Sequence, residues 1–295
     1  MAFNSDGVDG ASWDILTKLF EQFTERYSPV ALPEEATAPT ALEHARLLAA
    51  AGPYQSSRRA ESSFLRVLAL LDQQSIEVND DGTIVLPSQT GLNGQPKVWR
   101  EVAPFVWREV GGVQRLGALV VDGQVRALGL DQYAGTQILQ SASITNASTN
   151  AMQVVMWAAI VLLLTVIHWP VAALVRRRYA VPLALTPREA KSRALVRIGA
   201  LSALALLLGW MLVFLTGMKD LATFGDSLDP WLRLLHLFGL LATAGAGVAL
   251  WNAWLAWRGA QGLGARFWSV VLAAALAVIV WFAFAFNLIT LGLDY

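Results

Sequence analysis

The sequence predicts an α+β extracytoplasmic segment followed by an all-α membrane domain of four transmembrane helices. Of its 295 residues 55% are hydrophobic and only 15% charged, against about 45–50% and about 25% in ordinary soluble domains. The apolar residues gather into four long runs in the second half. The net charge of zero hides two unlike halves: residues 1–150 carry 11 basic and 17 acidic side chains, residues 151–295 carry 11 and 5. A neutral total leaves no basic excess for phosphate contacts, which disfavours a dedicated nucleic-acid binder. With no cysteine there is no disulfide frame, thiolate nucleophile or cysteine-based zinc site.

From the amino end, residues 12–27 read as an amphipathic helix, with Trp13, Leu16, Phe20, Phe23 and Tyr27 on one stripe and Asp14, Lys18, Glu21 and Glu25 off it. Ser12 suits the cap, and Pro29 opens a linker over 29–39. A helix over 41–51 stops at Gly52-Pro53, and 56–73 has helical or mixed spacing. Two hairpins are signalled, at Asp81-Gly82 and at Asp122-Gly123. Between them Val98-Trp99-Arg100-Glu101 recurs as Val106-Trp107-Arg108-Glu109, an echo too short for a solenoid and expected of two similar strand faces. Residues 131–150 are polar and Ser/Thr/Asn-rich, which suggests a tether, and contain an Asn146-Ala147-Ser148 sequon.

The four apolar runs, 152–175, 198–218, 231–257 and 267–291, each exceed the roughly 20 helical residues that cross a hydrocarbon core. The first connection carries Arg176, Arg177, Arg178, Arg188, Lys191, Arg193 and Arg197, and the third carries Arg258 and Arg266. The second sets Lys219 against Asp220, Asp226 and Asp229. The positive-inside bias therefore places the first and third connections in the cytoplasm and residues 1–150, the 219–230 loop and Tyr295 outside, in an integral inner-membrane protein. Trp231, Trp254, Trp257 and Trp268 mark the ends of spans, as interfacial belts do. Gly239, Thr243 and Gly247, with Ala242 and Ala246 beside them, allow close approach of another helix, within the unit or between copies. His168 precedes Trp169-Pro170 near the inner end of the first run; Arg233 and His236 lie in the outer turns of the third, where Arg can snorkel. Asn252 and Asn287 suit interhelical hydrogen bonds. No acidic residue lies deep in a span, which disfavours proton or cation transport.

Catalytic chemistry is hard to assemble. His44 is the one histidine of residues 1–150, on an expected surface helix where a structural or solvated role outweighs that of a general base. His-Glu-x-x-His, Gly-x-Ser-x-Gly, Walker A, Ser-x-x-Lys, Tyr-x-Asn and Lys/His-Thr/Ser-Gly strings are all absent. Arg58-Arg59 reads as a solvated or salt-bridged pair more readily than as an anion site. No residue is assigned as catalytic, cofactor-binding or metal-ligating.

Several strings nevertheless resemble the C-terminal part of bacterial membrane-anchored serine hydrolases of the β-lactamase (class C, penicillin-binding-protein-like) family. They are Phe3-Asn4-Ser5-Asp6-Gly7, the helix end Phe23-Thr24-Glu25-Arg26-Tyr27-Ser28-Pro29, Gly52-Pro53-Tyr54 to Ser57-Arg58-Arg59, the stretch from Trp99 to Gly112, and Trp169-Pro170-Val171 with Arg176-Arg177-Arg178. The resemblance implies that 1–40 are the last strand, closing helix and linker of a catalytic domain whose body lies upstream. With the residue patterns above, the chain divides further into a small α+β extracytoplasmic domain at 41–130, a tether at 131–150 and a four-helix transmembrane domain at 151–295. The expected function is a membrane-anchoring, accessory module of such a hydrolase, without its activity. The expected partners are the lipid bilayer and either a β-lactamase-like catalytic domain or a second copy through Gly239, Thr243 and Gly247. The alternative is an independent four-helix membrane protein whose outer domain binds a ligand or partner, as in a sensor or transporter subunit.

The absence of cysteine makes the orientation directly testable. Single cysteines at Ser88 and Ser227 are expected to react with an impermeant thiol reagent in intact cells, and one at Ser192 only after permeabilisation. Labelling of position 192 in intact cells would contradict the orientation.

Overall fold

The computed structural model describes residues 11–27, 40–91, 93–142, 148–180, 187–219, 225–259 and 262–290. The Phe3-to-Gly7 string, the 29–39 linker, Asn146-Ala147, Asp220 and Tyr295 lie outside these. The chain divides into two compact units, Met1–Arg59 with Leu68–Ser148, and Ala60–Val67 with Thr149–Tyr295.

In the first unit, helix α1 (Ala11–Tyr27) follows the expected span, and Phe20, Phe23 and Tyr27 on its apolar stripe are exposed. Helix α2 (Ala41–Ala50) buries Ala41, Ala45 and Leu48 at helical spacing. The strands are β1 (Tyr54–Ser56), β2 (Glu77–Val78), β3 (Ile84–Thr90), β4 (Pro96–Ala103), β5 (Val106–Glu109), β6 (Arg115–Val121), β7 (Gln124–Leu130) and β8 (Leu139–Ser141). They form one antiparallel sheet in the order β1-β8-β7-β6-β5-β4-β3-β2. At its β1 end Tyr54 also exchanges backbone hydrogen bonds of 2.8 Å with Gln74, shortly before β2, so one isolated bridge links the two ends of the curled sheet. Inside lie Tyr54, Ile84, Leu86, Trp99, Trp107, Leu116, Leu128 and Leu139, packed against Leu48 of α2. The Tyr54 hydroxyl donates to the Leu48 carbonyl at 2.7 Å, and its burial raises the phenol's pKa.

Turn chemistry sets the hairpins. Asp122 (φ 52°) and Gly123 (φ 71°) both adopt left-handed backbone, as a type I′ turn requires. At the other hairpin the Asp81 carboxylate accepts from the Thr83 hydroxyl at 2.6 Å and the Thr83 N–H at 3.0 Å. Those bonds lower its pKa, so their contribution is present with the carboxylate ionised and is lost as the pH falls through that lowered value. The Trp-Arg-Glu echo forms the β4–β5 hairpin, where Trp99 pairs with Glu109 and Glu101 with Trp107. Each tryptophan thus stands opposite the glutamate of the other copy. The 131–150 stretch is more than a tether: β8 lies within it, pairing β1 on one side and β7 on the other. Its backbone supplies the pairing while Leu139 is the buried anchor, so the polar composition concealed the strand.

The second unit contains four helices long and apolar enough to cross a membrane: α3 (Ser148–Arg178), α4 (Pro187–Lys219), α5 (Asp229–Arg258) and α6 (Leu263–Ala285). α3 continues through Pro170. α6 stops short of the 291 expected, because Asn287 turns left-handed (φ 55°) and Leu288 N–H bonds to the Ala283 carbonyl at 2.7 Å while Asn287 N–H bonds to Phe284 at 3.2 Å. These are the two bonds of a Schellman cap.

Helix α5 buries Leu232, Leu235, Gly239, Ala242, Ala246, Ala249, Ala253 and Ala256, alternating steps of three and four, with Gly245 beside them. α4 answers with Val196, Ala203, Leu206, Trp210 and Val213 on a similar period, the seam geometry of a left-handed helix pair. Backbone lies against backbone at Gly199 and Gly245: a Cβ added to Gly199 would lie 2.5 Å from the Gly245 Cα. The expected Gly239-Thr243-Gly247 row therefore divides. Gly239 is filled by Ile289, which a Cβ would meet at 2.5 Å; Thr243 donates to the Gly239 carbonyl at 2.8 Å; Gly247 is exposed with no atom within 4 Å of its Cβ position. The helix approach uses the adjoining Gly245 face, because the seam follows the three-four period and not a strict period of four.

Gly245→Leu is expected to lower the stability of the helical unit by about 3 kcal/mol or more through overpacking, whereas Gly247→Leu leaves the melting temperature in detergent within 2–3 °C, about 1 kcal/mol or less for a domain of this size. Equal melting of the two variants would contradict this seam.

Candidate functional site

The structure brings together three groupings of functional side chains, each within one unit. The first joins α2 to the sheet. His44 Nδ1 lies 2.7 Å from Glu101 Oε1, and the same oxygen accepts the Phe105 N–H at 2.8 Å. Glu101 is fully buried, while His44 keeps 19% side-chain exposure under the Phe105 ring, 4.1 Å away between centroids. Phe105 has φ 59° in the turn after a bulge between Glu101 and Ala103, a strained backbone that the carboxylate helps hold. Glu101 Oε2 and the indole nitrogens of Trp99 and Trp107 are buried without hydrogen-bond partners. Among the described residues no Ser, Thr or Lys side chain bonds to either member of the pair, so a nucleophile and its orienting partner are not assembled there. The pair pins α2 and the β4–β5 turn to the core. Sequence reasoning placed His44 on a surface helix and missed Glu101; the signal was the echo itself, which sets a glutamate on the tryptophan-bearing, inward face of β4.

The second grouping is an aromatic clip. Residues 60–67 belong with the helices, though both flanks belong to the sheet. Phe64 packs on Trp210 and Phe214 at 4.8 and 6.0 Å. Trp210 Nε1 donates to the Leu288 carbonyl at 3.2 Å, Asn287 Nδ2 to the Glu61 carbonyl at 2.8 Å, and the Arg66 guanidinium lies 5.9 Å from the Phe286 ring. Asn287, read as an interhelical hydrogen-bonder, thus bonds to this segment instead, because its left-handed turn aims it beyond the end of α6. The clip occupies the Lys219 end of α4 and the segment after α6.

The third lies toward the opposite, arginine-rich end. All four helices line a cavity of about 250 Å³ whose polar walls are His168, Arg176, Arg193, Arg197, Asn252 and Ser269. The Arg197 guanidinium sits 5.1 Å from the Trp169 ring centre, and Asn252 Oδ1 accepts from Ser192 at 3.3 Å. No acidic residue lines the cavity. A second, apolar groove of about 570 Å³ between α3 and α6 shares His168 and Trp268 with it and is completed by Leu164, Ile167 and Val171. Sequence reasoning singled out His168 and Asn252 separately; their convergence with three arginines depends on the bundle.

Elsewhere, Arg59 donates to the Ser56 carbonyl and to Gln140 at 3.0 and 3.1 Å, fastening β1 and β8, and Arg58 is exposed. Arg233 is exposed and His236 half-buried on α5. Trp231, Trp254, Trp257 and Trp268 all retain exposed surface, as interfacial residues do. Among the described residues no three of His, Asp and Glu gather as a metal site. No known protein family, curated protein or solved structure matches the chain.

His44→Ala would leave Glu101 with one partner fewer in the core, an expected loss of about 2–3 kcal/mol. Glu101→Gln, which keeps an acceptor for Phe105, should cost less than Glu101→Ala. Chemical denaturation of the full chain in detergent, followed by tryptophan fluorescence, measures both; unchanged midpoints would remove the pair from its pinning role.

Proposed function

We propose that this chain is the membrane-anchoring and accessory module of a β-lactamase-related serine hydrolase and performs no hydrolysis itself. The observation that carries the anchoring role is the clip. Residues 60–67 leave the sheet unit, pack Phe64 on Trp210 and Phe214, and return to the sheet at Leu68. The chain of the first unit therefore enters the helical unit twice, here and at the start of α3.

The orientation in this reading has residues 1–150 and the C-terminus outside an inner membrane. It is supported by the arginine-rich connections and by the clip, which sits at the end of α4 away from those connections. The hydrolase link rests on the strings in residues 1–112 and 169–178 and agrees with the exposed Phe20, Phe23 and Tyr27 of α1, a stripe suited to a covering domain. That stripe equally suits another outer partner, the basis of the sensor-subunit alternative.

Purified chain in detergent is expected to leave a chromogenic β-lactam and a p-nitrophenyl ester intact. Hydrolysis abolished by a single Ser→Ala substitution would contradict the non-catalytic role. The DNA immediately upstream of Met1 is expected to encode a Ser-x-x-Lys-containing body, in frame or frameshifted; an unrelated neighbour would favour the independent membrane protein.

A further inference from the structure

The geometry points to a binding site for an anionic phospholipid at the arginine-rich end of the bundle. The phosphodiester is held in the cavity of Arg176, Arg193 and Arg197, and an acyl chain lies in the groove between α3 and α6. This inference goes beyond the anchoring role and does not depend on the hydrolase link or on which side of the membrane the site faces.

Three arginines from two helices converge on one cavity whose lining contains no carboxylate. Glu189, one turn before Arg193 on α4, does not line it. Concentrating like charge around one cavity is unfavourable at a membrane end, and an anion seated in it relieves that repulsion. Guanidinium groups suit phosphate oxygens because their planar donors can bind two oxygens at once. Asn252 and Ser269 line the same space with uncharged polar groups, and Trp169 holds the Arg197 guanidinium by its face, limiting its freedom before a ligand arrives. Basic pockets between transmembrane helices are a recognised chemistry for lipid headgroups.

The adjoining groove favours a lipid over a soluble phosphate. Leu164, Ile167 and Val171 form an apolar wall on α3, Trp268 closes it from α6, and His168 and Trp268 line both spaces. A single molecule with an anionic head and a hydrocarbon tail matches that pairing, while inorganic phosphate or a nucleotide would use only the cationic half. The packing explains why the groove exists: α4, α5 and α6 form the close-packed seam, whereas α3 makes no comparably extensive contact with any of them.

Native mass spectrometry of the full chain in an uncharged detergent tests the site with dioleoyl phosphatidylglycerol, dioleoyl phosphatidylcholine and inorganic phosphate as probes. Phosphatidylglycerol is expected to bind about tenfold or more tightly than phosphatidylcholine. The double variant Arg193→Gln/Arg197→Gln should lose about that factor, and Arg177→Gln/Arg178→Gln, exposed and outside the cavity, should lose little. Should the first pair fail to fold, Val171→Trp keeps every charge and obstructs only the groove; it is expected to weaken phosphatidylglycerol binding. Millimolar inorganic phosphate should not displace the lipid. Equal binding of the two lipids, or an equal loss in the Arg177/Arg178 variant, would reduce the site to general surface charge and overturn the proposal. Displacement by phosphate with Val171→Trp unaffected would identify a soluble-anion site and overturn it as well.

Discussion

Inside a hydrocarbon layer backbone groups have no water to bond to, and apolar helices gain no hydrophobic free energy by leaving lipid for one another. Both conditions shape the second unit. The backbone is satisfied within each helix, and association depends on how closely the helices approach. Gly199 and Gly245 provide that approach, with no room for a side chain on either, and the alanines of α5 extend it along the seam. Leu235 packs on Gly209, Leu206, Trp210 and Val213 are buried on α4, and Phe64 packs on Trp210. The clip, the cavity and the capped end of α6 all depend on α4 and α5 being held in that register.

The sheet unit is built around a small core of its own. The Tyr54–Gln74 bridge links the two ends of the curled sheet, and α2 covers the interior. A buried carboxylate is a costly way to fix that cover. Glu101 meets part of the cost by bonding both His44 and the Phe105 backbone, and in doing so determines how α2 sits relative to the β4–β5 turn. A polar pin of this kind adds specificity that apolar packing alone leaves loose.

The architecture was legible in the residues wherever one local rule decided the outcome. Runs of twenty-odd apolar residues form helices long and apolar enough to span a membrane, Asp122-Gly123 can turn left-handed at both positions, and the alternation around Trp99 and Trp107 suits paired strands. Long-range placement escaped the same reading. β8 is polar in composition and was concealed within an expected tether; residues 60–67 carry no signal that they leave the sheet for the helices; Gly245 shares the third span with Gly239 and Gly247, and only the partner helix distinguishes them. The candidate sites follow the same division. His168, Asn252 and the arginines were visible as residues, but their meeting is a property of four helices, and Glu101 became a partner for His44 only when α2 folded across the sheet.

The central claim is that α4 and α5 form a lipid-embedded seam on which the remaining features rest. Hydrogen–deuterium exchange of the full chain in lipid nanodiscs tests it most directly. The account predicts that backbone amides of 198–217 and 232–256 remain protected for hours while the Asp81-Gly82 and Asp122-Gly123 turns exchange within minutes. Rapid exchange through the middle of either helix, at Gly199 or Gly245 in particular, would contradict it.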